Sequence, residues 1–305
     1  MERPPFPIAI DSTLRAAFVS CPRKFELEYL HHWKQTRMSI HLRAGAAFAR
    51  GLEVSRIAFW QNKHSAPDAI GLGAIALVKS YGTIEEPNES DKSLVNMLGA
   101  LCEYFLQYGF HTDSIQPLFL NGKPCVECSF AIEIPGTVHP ETNDPILYSG
   151  RFDLLGLYNN QLFVVDEKTA SQLGPSWYNN WTLRSQITGY CWAAQEFNHP
   201  VVGAIIRGLA ILKRDYKHAE AIESRTKFEI DRWLFQLKRD INRMVECWKE
   251  GYFDYNLDAS CANYGGCTFL SVCKSSNPQR WLEAEYVQRI WDPLTREEKE
   301  VAKQN

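Results

Sequence analysis

One predicted β-hairpin constrains the fold of this chain more than any other feature of its sequence. Asn159 and Asn160 separate two segments rich in β-branched, leucine and aromatic residues, ILYSGRFDLLGLY and QLFVVDEKT. Asparagine tolerates the left-handed backbone that a two-residue reversal needs, so the segments are expected to pair as antiparallel strands. Tyr158 then pairs with Gln161, and that pair sets the register of the whole hairpin.

This register brings acidic side chains together. Asp153 is predicted to face Asp166, and Arg151 to face Lys168, and opposed residues share one side of a sheet with Cβ atoms about 5 Å apart. Apolar neighbours keep bulk water away, so the two carboxylates need a cation between them. A hard divalent ion such as Mg²⁺ or Mn²⁺ suits oxygen ligands and could activate water and hold a phosphate. The alternative is a salt-bridged sheet face in which Arg151 and Lys168 neutralise the acids.

The wider pattern predicts an α/β fold with a central mixed β-sheet flanked by helices. Alternating apolar residues predict a strand over 126–134, and a continuous apolar run predicts a buried strand over 201–213. The stretch 63–90 is predicted to be loop-rich because of its prolines and glycines. Helical spacing and start signals predict helices beginning at Ser12 (an N-cap) and Pro22, and over 43–62, 91–108, 183–197, 227–249 and 279–304.

These elements divide the chain into four predicted parts. They are N-terminal helices that include Cys21 over 1–62, a helical insertion over 63–124, the strand-rich core over 125–250, and a cysteine-rich C-terminal segment with a final helix over 251–305. Hydrophobic residues make up 45% of the chain and charged residues 23%, which excludes a disordered or collagen-like protein. No apolar run approaches the roughly 18 residues of a membrane span, and no basic, apolar leader is visible, so we expect a cytoplasmic protein with no membrane partner.

Three short motifs lie within or after the predicted hairpin. They are GRFD at 150–153, VDEKT at 165–169 and QITGY at 186–190. Together they resemble the PD-(D/E)xK nuclease superfamily, most closely its RecB-like branch, which includes CRISPR-associated RecB-like exonucleases, the AddB nuclease domain and phage exonucleases. The resemblance implies a restriction-endonuclease-like core. It also implies that Asp153, Asp166 and the main-chain carbonyl of Glu167 bind the metal, and that Lys168 contacts the attacking water or the phosphate.

Two helices extend the resemblance. Gln186 and Tyr190, four residues apart on one helix face, look like the Q-xxx-Y motif of that branch, which lies beside the active site and DNA. The branch often carries a histidine in a G-xxx-H-xx-LE helix, and the matching segment GAAFARGLE has Ala49 at that position. A metal ligand is therefore missing or supplied by another acid. Glu53 is the first substitute and Glu127 the second.

Four of the nine cysteines form a second candidate site. Cys261, Cys267 and Cys273 have C-x5-C-x5-C spacing, and Cys21 precedes a turn proline far earlier in the chain. Four converging thiolates can hold Zn²⁺ or an iron–sulfur cluster. The resemblance to RecB-like iron–sulfur nucleases favours a [4Fe–4S] cluster that staples the two chain ends. The other five are interpreted as ordinary thiols, buried at Cys102, Cys191 and Cys247, and on opposite faces of one strand at Cys125 and Cys128.

These motifs together predict a metal-dependent deoxyribonuclease, by family resemblance an exonuclease that processes DNA ends in recombination or repair. DNA contacts are expected from Arg15, Arg23 and Lys24, together with Gln186 and Tyr190. Three aromatic residues could stack on bases, although packing is their commoner role: Trp177, Tyr178 and Trp181. The main alternative is a DNA-binding adaptor that cleaves little and serves a recombination or CRISPR-adaptation complex. A zinc-stapled protein of unrelated function is a third interpretation.

Overall fold

A computed structural model of the protein describes residues 3–36, 39–82, 90–213, 215–262 and 266–300. Its strands are β1 (Ala9–Ile10), β2 (Trp33–Gln35), β3 (Gln116–Pro117), β4 (Phe119–Leu120), β5 (Lys123–Pro124), β6 (Val126–Glu133), β7 (Leu147–Tyr158), β8 (Gln161–Ala170), β9 (Val201–Ile211), β10 (Tyr216–Ser224), β11 (Tyr286–Asp292) and β12 (Glu297–Glu300). Its helices are α1 (Ser12–Ser20), α2 (Pro22–Phe25), α3 (Ile40–Arg56), α4 (Ala66–Tyr81), α5 (Leu94–Gln107), α6 (Pro175–Asn179), α7 (Ser185–Glu196), α8 (Lys227–Glu250), α9 (Ala259–Ala262), α10 (Leu270–Lys274) and α11 (Pro278–Glu285). None of the helices described here combines the length and hydropathy needed to cross a bilayer.

Seven strands form one mixed sheet. Its main path runs β1-β7-β8-β9-β10, and β3 and β6 also pair with β7. The β7–β8 and β9–β10 pairs are antiparallel, whereas β8 and β9 are parallel. The parallel pair requires a crossover connection, and α6 and α7 provide it. The sheet and its helices confirm the predicted α/β class with a restriction-endonuclease-like arrangement.

The chain forms two compact units. The first unit consists of Met1–Arg37, Ser129–Gly150 and Asp231–Asn305, and the second unit consists of Met38–Cys128 and Arg151–Ile230. Strands β6 and β7 and helix α8 each begin in one unit and end in the other. The core of the first unit includes residues that pack a π-helical turn after α2 against the cysteine-rich segment: Leu27, Phe269, Val272, Leu282 and Tyr286.

Three helices and the end of β9 enclose the main apolar core of the second unit. Its buried residues include Phe48 and Leu52 of α3, Leu77 of α4, Leu101 of α5 and Leu209 of β9. A smaller core lies between β3, β6 and the β7–β8–β9 strands. The same chain segments that form these cores therefore fix the backbone of β8, on which the predicted site residues lie.

Helices α3 and α4 approach closely because glycines face each other. A Cβ atom on Gly73 would stand 2.5 Å from the carbonyl oxygen of Gly51 and 1.9 Å from Oγ of Ser55. No side chain larger than a hydrogen atom fits this contact without a shift of the α3 backbone.

The structure corrects the prediction that 63–90 is loop-rich, because most of its described part is helix α4. Ser65 caps that helix by accepting the N–H of Asp68, and Pro67 lies in the first turn, where a missing N–H costs nothing. The N-cap of α1 is Asp11 instead of Ser12, since its carboxylate accepts two main-chain N–H groups of the first turn.

The predicted final helix over 279–304 is also wrong beyond Glu285, where β11 begins. Tyr286–Asp292 contains β-branched and aromatic residues that favour strands, and Pro293 cannot continue a helix. Strand β10 was not predicted, although Ala219–Ser224 alternates in burial as an edge strand does. The remaining long helices and strands lie within a few residues of their predicted positions.

We predict that Gly73→Ala destabilises the protein by about 2 kcal/mol, because the new methyl group must displace the α3 backbone. The matched control is Gly71→Ala on the same helix, where a Cβ meets nothing within 4 Å. It should leave stability unchanged or raise it by about 0.5–1 kcal/mol through helix propensity. Urea unfolding of both variants measures the difference, and equal stabilities would contradict the close contact.

Candidate active site

The β7–β8 hairpin has the predicted turn and register. Asn159 and Asn160 have φ angles of +49° and +61°, the left-handed values of a two-residue reversal. Tyr158 pairs with Gln161, and the pairing continues to Leu154 opposite Val165. The sequence-based register is therefore confirmed along this ladder.

The main-chain ladder stops one pair short of the two aspartates. Instead of bonding to β7 main chain, the N–H of Glu167 donates to Oδ2 of Asp153 at 2.9 Å. The opposition of Asp153 and Asp166 themselves stays a prediction, because the confirmed ladder ends at the pair before them. Burial, and then the negative charge of Asp166, raise the pKa of Asp153 to about 7. The two carboxylates are therefore electrostatic neighbours.

Asp166 is the most enclosed acid of the site. Its side chain is 1% exposed, and among the described residues Oδ1 accepts no hydrogen bond. Its nearest charged partner is Lys168, whose Nζ lies 2.6 Å from Oδ2. Burial alone would lower the pKa of Lys168, but the charges of Asp166 and Asp153 raise it, so the amine stays protonated. A buried carboxylate with an oxygen left unused is suited to a hard cation.

A third carboxylate, Glu127 of β6, lies close to Asp153. Its φ angle of +52° is uncommon outside glycine and asparagine, and it turns the strand at this position. Arg151 pairs with it at 2.8 Å. Burial, and then the charge of Asp153, raise the pKa of Glu127 to about 8, and Glu53 contributes to the same shift. The structure thus brings both predicted substitutes for the missing histidine, Glu53 and Glu127, near one another, with Glu53 also paired to Arg50 at 2.5 Å.

The side chain of Glu167 lies on the other face of β8, as alternation along a strand requires. Its carboxylate binds the Arg56 guanidinium and accepts a hydrogen bond of 2.9 Å from the hydroxyl of Tyr104. Burial would raise its pKa, but Arg56 holds the pKa below its usual range, so the carboxylate stays charged. The sequence did not point to Arg56 or Tyr104.

Gln186 and Tyr190 lie together on α7, as their spacing predicts. The side-chain amide of Gln186 donates to the Tyr190 hydroxyl at 3.1 Å. The Tyr190 ring meets Phe152 edge-on, with centroids 5.6 Å apart, and its hydroxyl contributes to the electrostatic environment of Lys168. The structure therefore places this pair beside the lysine of the site.

The cysteines predicted to converge line one cavity in the first unit. Cys21, Cys261, Cys267 and Cys273 all contact a space of about 120 Å³. Burial, and then the proximity of Cys267, raise the pKa of Cys273 to about 11. In the part of the chain that the structure describes, no three histidine, cysteine or carboxylate side chains already stand at metal-binding positions. The four thiols share a cavity, but they are not arranged as a closed metal site.

Two interpretations of other cysteines are wrong. The thiols of Cys125 and Cys128 lie close enough to shift each other's pKa and so do not face opposite sides; Cys128 donates to the main-chain carbonyl of Val126 at 3.8 Å. Cys102 is exposed, whereas Cys191 and Cys247 are buried as predicted.

The basic residues predicted to contact DNA differ in their surroundings. Arg15 is 8% exposed and forms an ion pair of 2.8 Å with Asp240 inside the first unit. Arg23 pairs with Glu26, and Lys24 lines the cysteine cavity with a longer contact to Glu28. The burial of Arg15 shows that this side chain stabilises its own unit. Of the aromatic residues that follow β8, two are buried and one is exposed: Trp177, Trp181 and Tyr178, respectively.

Comparisons with known proteins place the chain in a family. No curated protein matches the chain. A solved structure titled "Crystal structure of SSO0001" is 14% identical with a TM-score of 0.33, and the match covers 75% of this chain and 83% of that chain. These values are too low to support any statement about the site. The model of the PD-(D/E)XK nuclease superfamily, however, matches residues 13–274, and the chain belongs to that superfamily.

Proposed function

We propose that this protein is a Mg²⁺- or Mn²⁺-dependent deoxyribonuclease of the RecB-like type, which hydrolyses phosphodiesters at DNA ends. Membership of the superfamily indicates nuclease activity, divalent metal ions and a DNA substrate. The observation that carries the proposal is the enclosed Asp166 carboxylate next to Asp153 and Lys168, whose Oδ1 accepts no hydrogen bond from the described residues although Oδ2 pairs with Lys168. A buried carboxylate oxygen without a partner calls for an explanation, and a bound cation supplies one.

Each group has a distinct role in the proposal. Asp153, Asp166 and the main-chain carbonyl of Glu167 would hold the cation. Glu53 or Glu127 would replace the histidine ligand that is missing at Ala49. A divalent cation at such a site lowers the pKa of water and neutralises phosphate charge.

Lys168 and α7 act on the substrate in this proposal. The Lys168 ammonium group donates to the phosphate and stabilises the negative charge that develops during attack. It can turn from Asp166 to the phosphate once a cation neutralises that carboxylate. Gln186 and Tyr190 orient the nucleic acid beside it, since their side chains are already joined by a hydrogen bond.

We also propose that the cysteine cavity holds a [4Fe–4S] cluster. Its support is the shared cavity of Cys21, Cys261, Cys267 and Cys273 in the first unit, together with the resemblance to iron–sulfur nucleases. Four thiolates are the ligand set of such clusters and also of structural zinc. Cys21 lies in the N-terminal part of the unit and the other three in the C-terminal part, so ligation would cross-link distant segments.

We predict that Asp166→Ala lowers the rate of linear-DNA degradation in Mg²⁺ or Mn²⁺ at least about 100-fold, because a direct ligand is lost. Asp144→Asn, which changes an exposed acid, should leave the rate unchanged. The assay uses end-labelled single- and double-stranded DNA with each end blocked in turn, so that it also gives polarity. Equal degradation by wild type and Asp166→Ala would support a DNA-binding adaptor instead of a nuclease.

We predict that stabilisation by Mn²⁺ increases with pH. The raised pKa of Asp153 means that the metal-free native state holds a proton that the unfolded chain has released, so stability falls between pH 3.8 and about 7. Mn²⁺ competes with that proton. At about 100 times its dissociation constant, it should raise the melting temperature by about 5 °C near pH 8 and by much less near pH 5. Equal shifts at both pH values, or shifts retained in Asp153→Asn, would place the ion elsewhere.

For the cysteine site, anaerobically purified protein is expected to be brown and to contain about four iron and four sulfide ions per chain. Cys267→Ser should lose most of this iron and lower the melting temperature, because the cross-link is broken. Cys102→Ser, a change of an exposed cysteine, is the control and should retain both. A colourless protein that contains zinc and no sulfide would indicate a zinc site at these cysteines instead of the cluster.

A further inference from the structure

A network of buried charges lies behind the strand that carries the site. Glu167 is flanked in the sequence by Asp166 and Lys168, but its side chain points to the opposite face of β8 and is 6% exposed. There it binds the guanidinium of Arg56, which is 7% exposed, and the hydroxyl of Tyr104. Arg56 is the last residue of α3 and Tyr104 lies on α5, so residues of two helices of the second unit bind the Glu167 side chain.

A second arginine extends the network. Arg207 of β9 is 1% exposed, and its guanidinium donates to both oxygens of Asp113 at 2.6 Å. Its Nε donates to Glu220 of β10 at 2.8 Å, and the face of Tyr108 covers it at 4.0 Å. The Tyr104 hydroxyl lies within 2.8 Å of Arg56 and 3.4 Å of Arg207. One hydroxyl therefore touches both arginines and the Glu167 carboxylate.

Fold stability alone is a poor explanation for so many buried charges. Removing charges from water costs several kcal/mol per ion, and apolar residues of similar volume often stabilise a core as well or better. A network of this kind is better suited to fixing one orientation of its members. Glu167 connects this network to the site, because its main-chain N–H donates to Oδ2 of Asp153 at 2.9 Å.

We propose that Arg56 and Tyr104 are positioning residues of the active site. They hold the Glu167 side chain on the face of β8 opposite to Asp166. This fixes the main-chain N–H of Glu167, which donates to the Asp153 carboxylate and orients it. The inference rests on the proposed function, because Asp153 and the Glu167 carbonyl are metal ligands only in that proposal. It assigns the helical insertion over 63–124 a role, since Tyr104 of α5 and Asp113 after it both belong to this network.

The mildest test is Tyr104→Phe, which removes one hydroxyl and keeps the packed ring. We expect it to bind Mn²⁺ about tenfold more weakly by titration calorimetry without DNA, as losses of outer-shell partners generally do. The Mn²⁺ concentration for half-maximal cleavage should rise by the same factor, whereas KM for DNA at saturating Mn²⁺ should stay unchanged. The matched control is Tyr108→Phe, one helical turn later, whose ring covers Arg207; its Mn²⁺ affinity should equal that of wild type.

A second pair of variants separates orientation from folding. Arg56→Met leaves the Glu167 carboxylate buried without its cation and is expected to lower the melting temperature. The double variant Arg56→Met with Glu167→Met removes both charges, so it should recover the melting temperature but not the Mn²⁺ affinity. Arg56→Lys keeps the charge and should retain part of the affinity.

The outcomes distinguish this inference from the proposed function. Wild-type Mn²⁺ affinity in Tyr104→Phe and in the double variant would overturn the positioning role while leaving the nuclease proposal intact. Unchanged Mn²⁺ binding in Asp166→Ala would overturn the nuclease site itself. Weaker binding in Tyr104→Phe together with loss of binding in Asp166→Ala would support both.

Discussion

The site depends on one hydrogen bond, the donation from the Glu167 N–H to the Asp153 carboxylate. Between the asparagine turn and the Leu154–Val165 pair, β7 and β8 form an ordinary antiparallel ladder. At the next position a side chain replaces the main chain, and Asp153 is drawn in beside Asp166. Burial and this like charge raise the pKa of Asp153, so Asp153 tends to hold a proton, while Asp166 pairs with Lys168. A divalent cation would bind the two carboxylates more strongly than the proton and the lysine do. The site therefore needs a cation because the hairpin brings two carboxylates together and because both are largely shielded from water.

Strand alternation then connects the site to the rest of the second unit. Since Glu167 must face away from Asp166, its carboxylate enters the helical core, where its burial is tolerable only with cationic and hydrogen-bonding partners. Arg56, Tyr104 and Arg207 supply them. The helices that pack on the sheet therefore also fix the β8 backbone, because Arg56 and Tyr104 bind the Glu167 side chain on the face opposite to Asp166. The cysteine cavity belongs to the first unit.

The sequence predicted those features that follow from local chemistry and strand period. The asparagine pair set the hairpin register, and four-residue spacing placed Gln186 beside Tyr190. Helix α4 was missed because Pro67 was treated as a breaker, although proline is favoured in a first turn. The end of the ladder at Asp153 and the left-handed Glu127 have no signature in a single sequence, since each depends on partners distant along the chain. A lone arginine within the apolar run VVGAIIRGLAI was a visible sign of the buried network, but its partners were not predictable.

The central claim is that Asp153 and Asp166 share one divalent cation, and anomalous diffraction from crystals grown with Mn²⁺ tests it most directly. The account predicts a manganese peak about 2.0–2.3 Å from a carboxylate oxygen of each aspartate, with the Glu167 carbonyl in the same ligand shell and Lys168 turned away from Asp166. A map with manganese bound elsewhere, and with Lys168 still paired to Asp166, would contradict it.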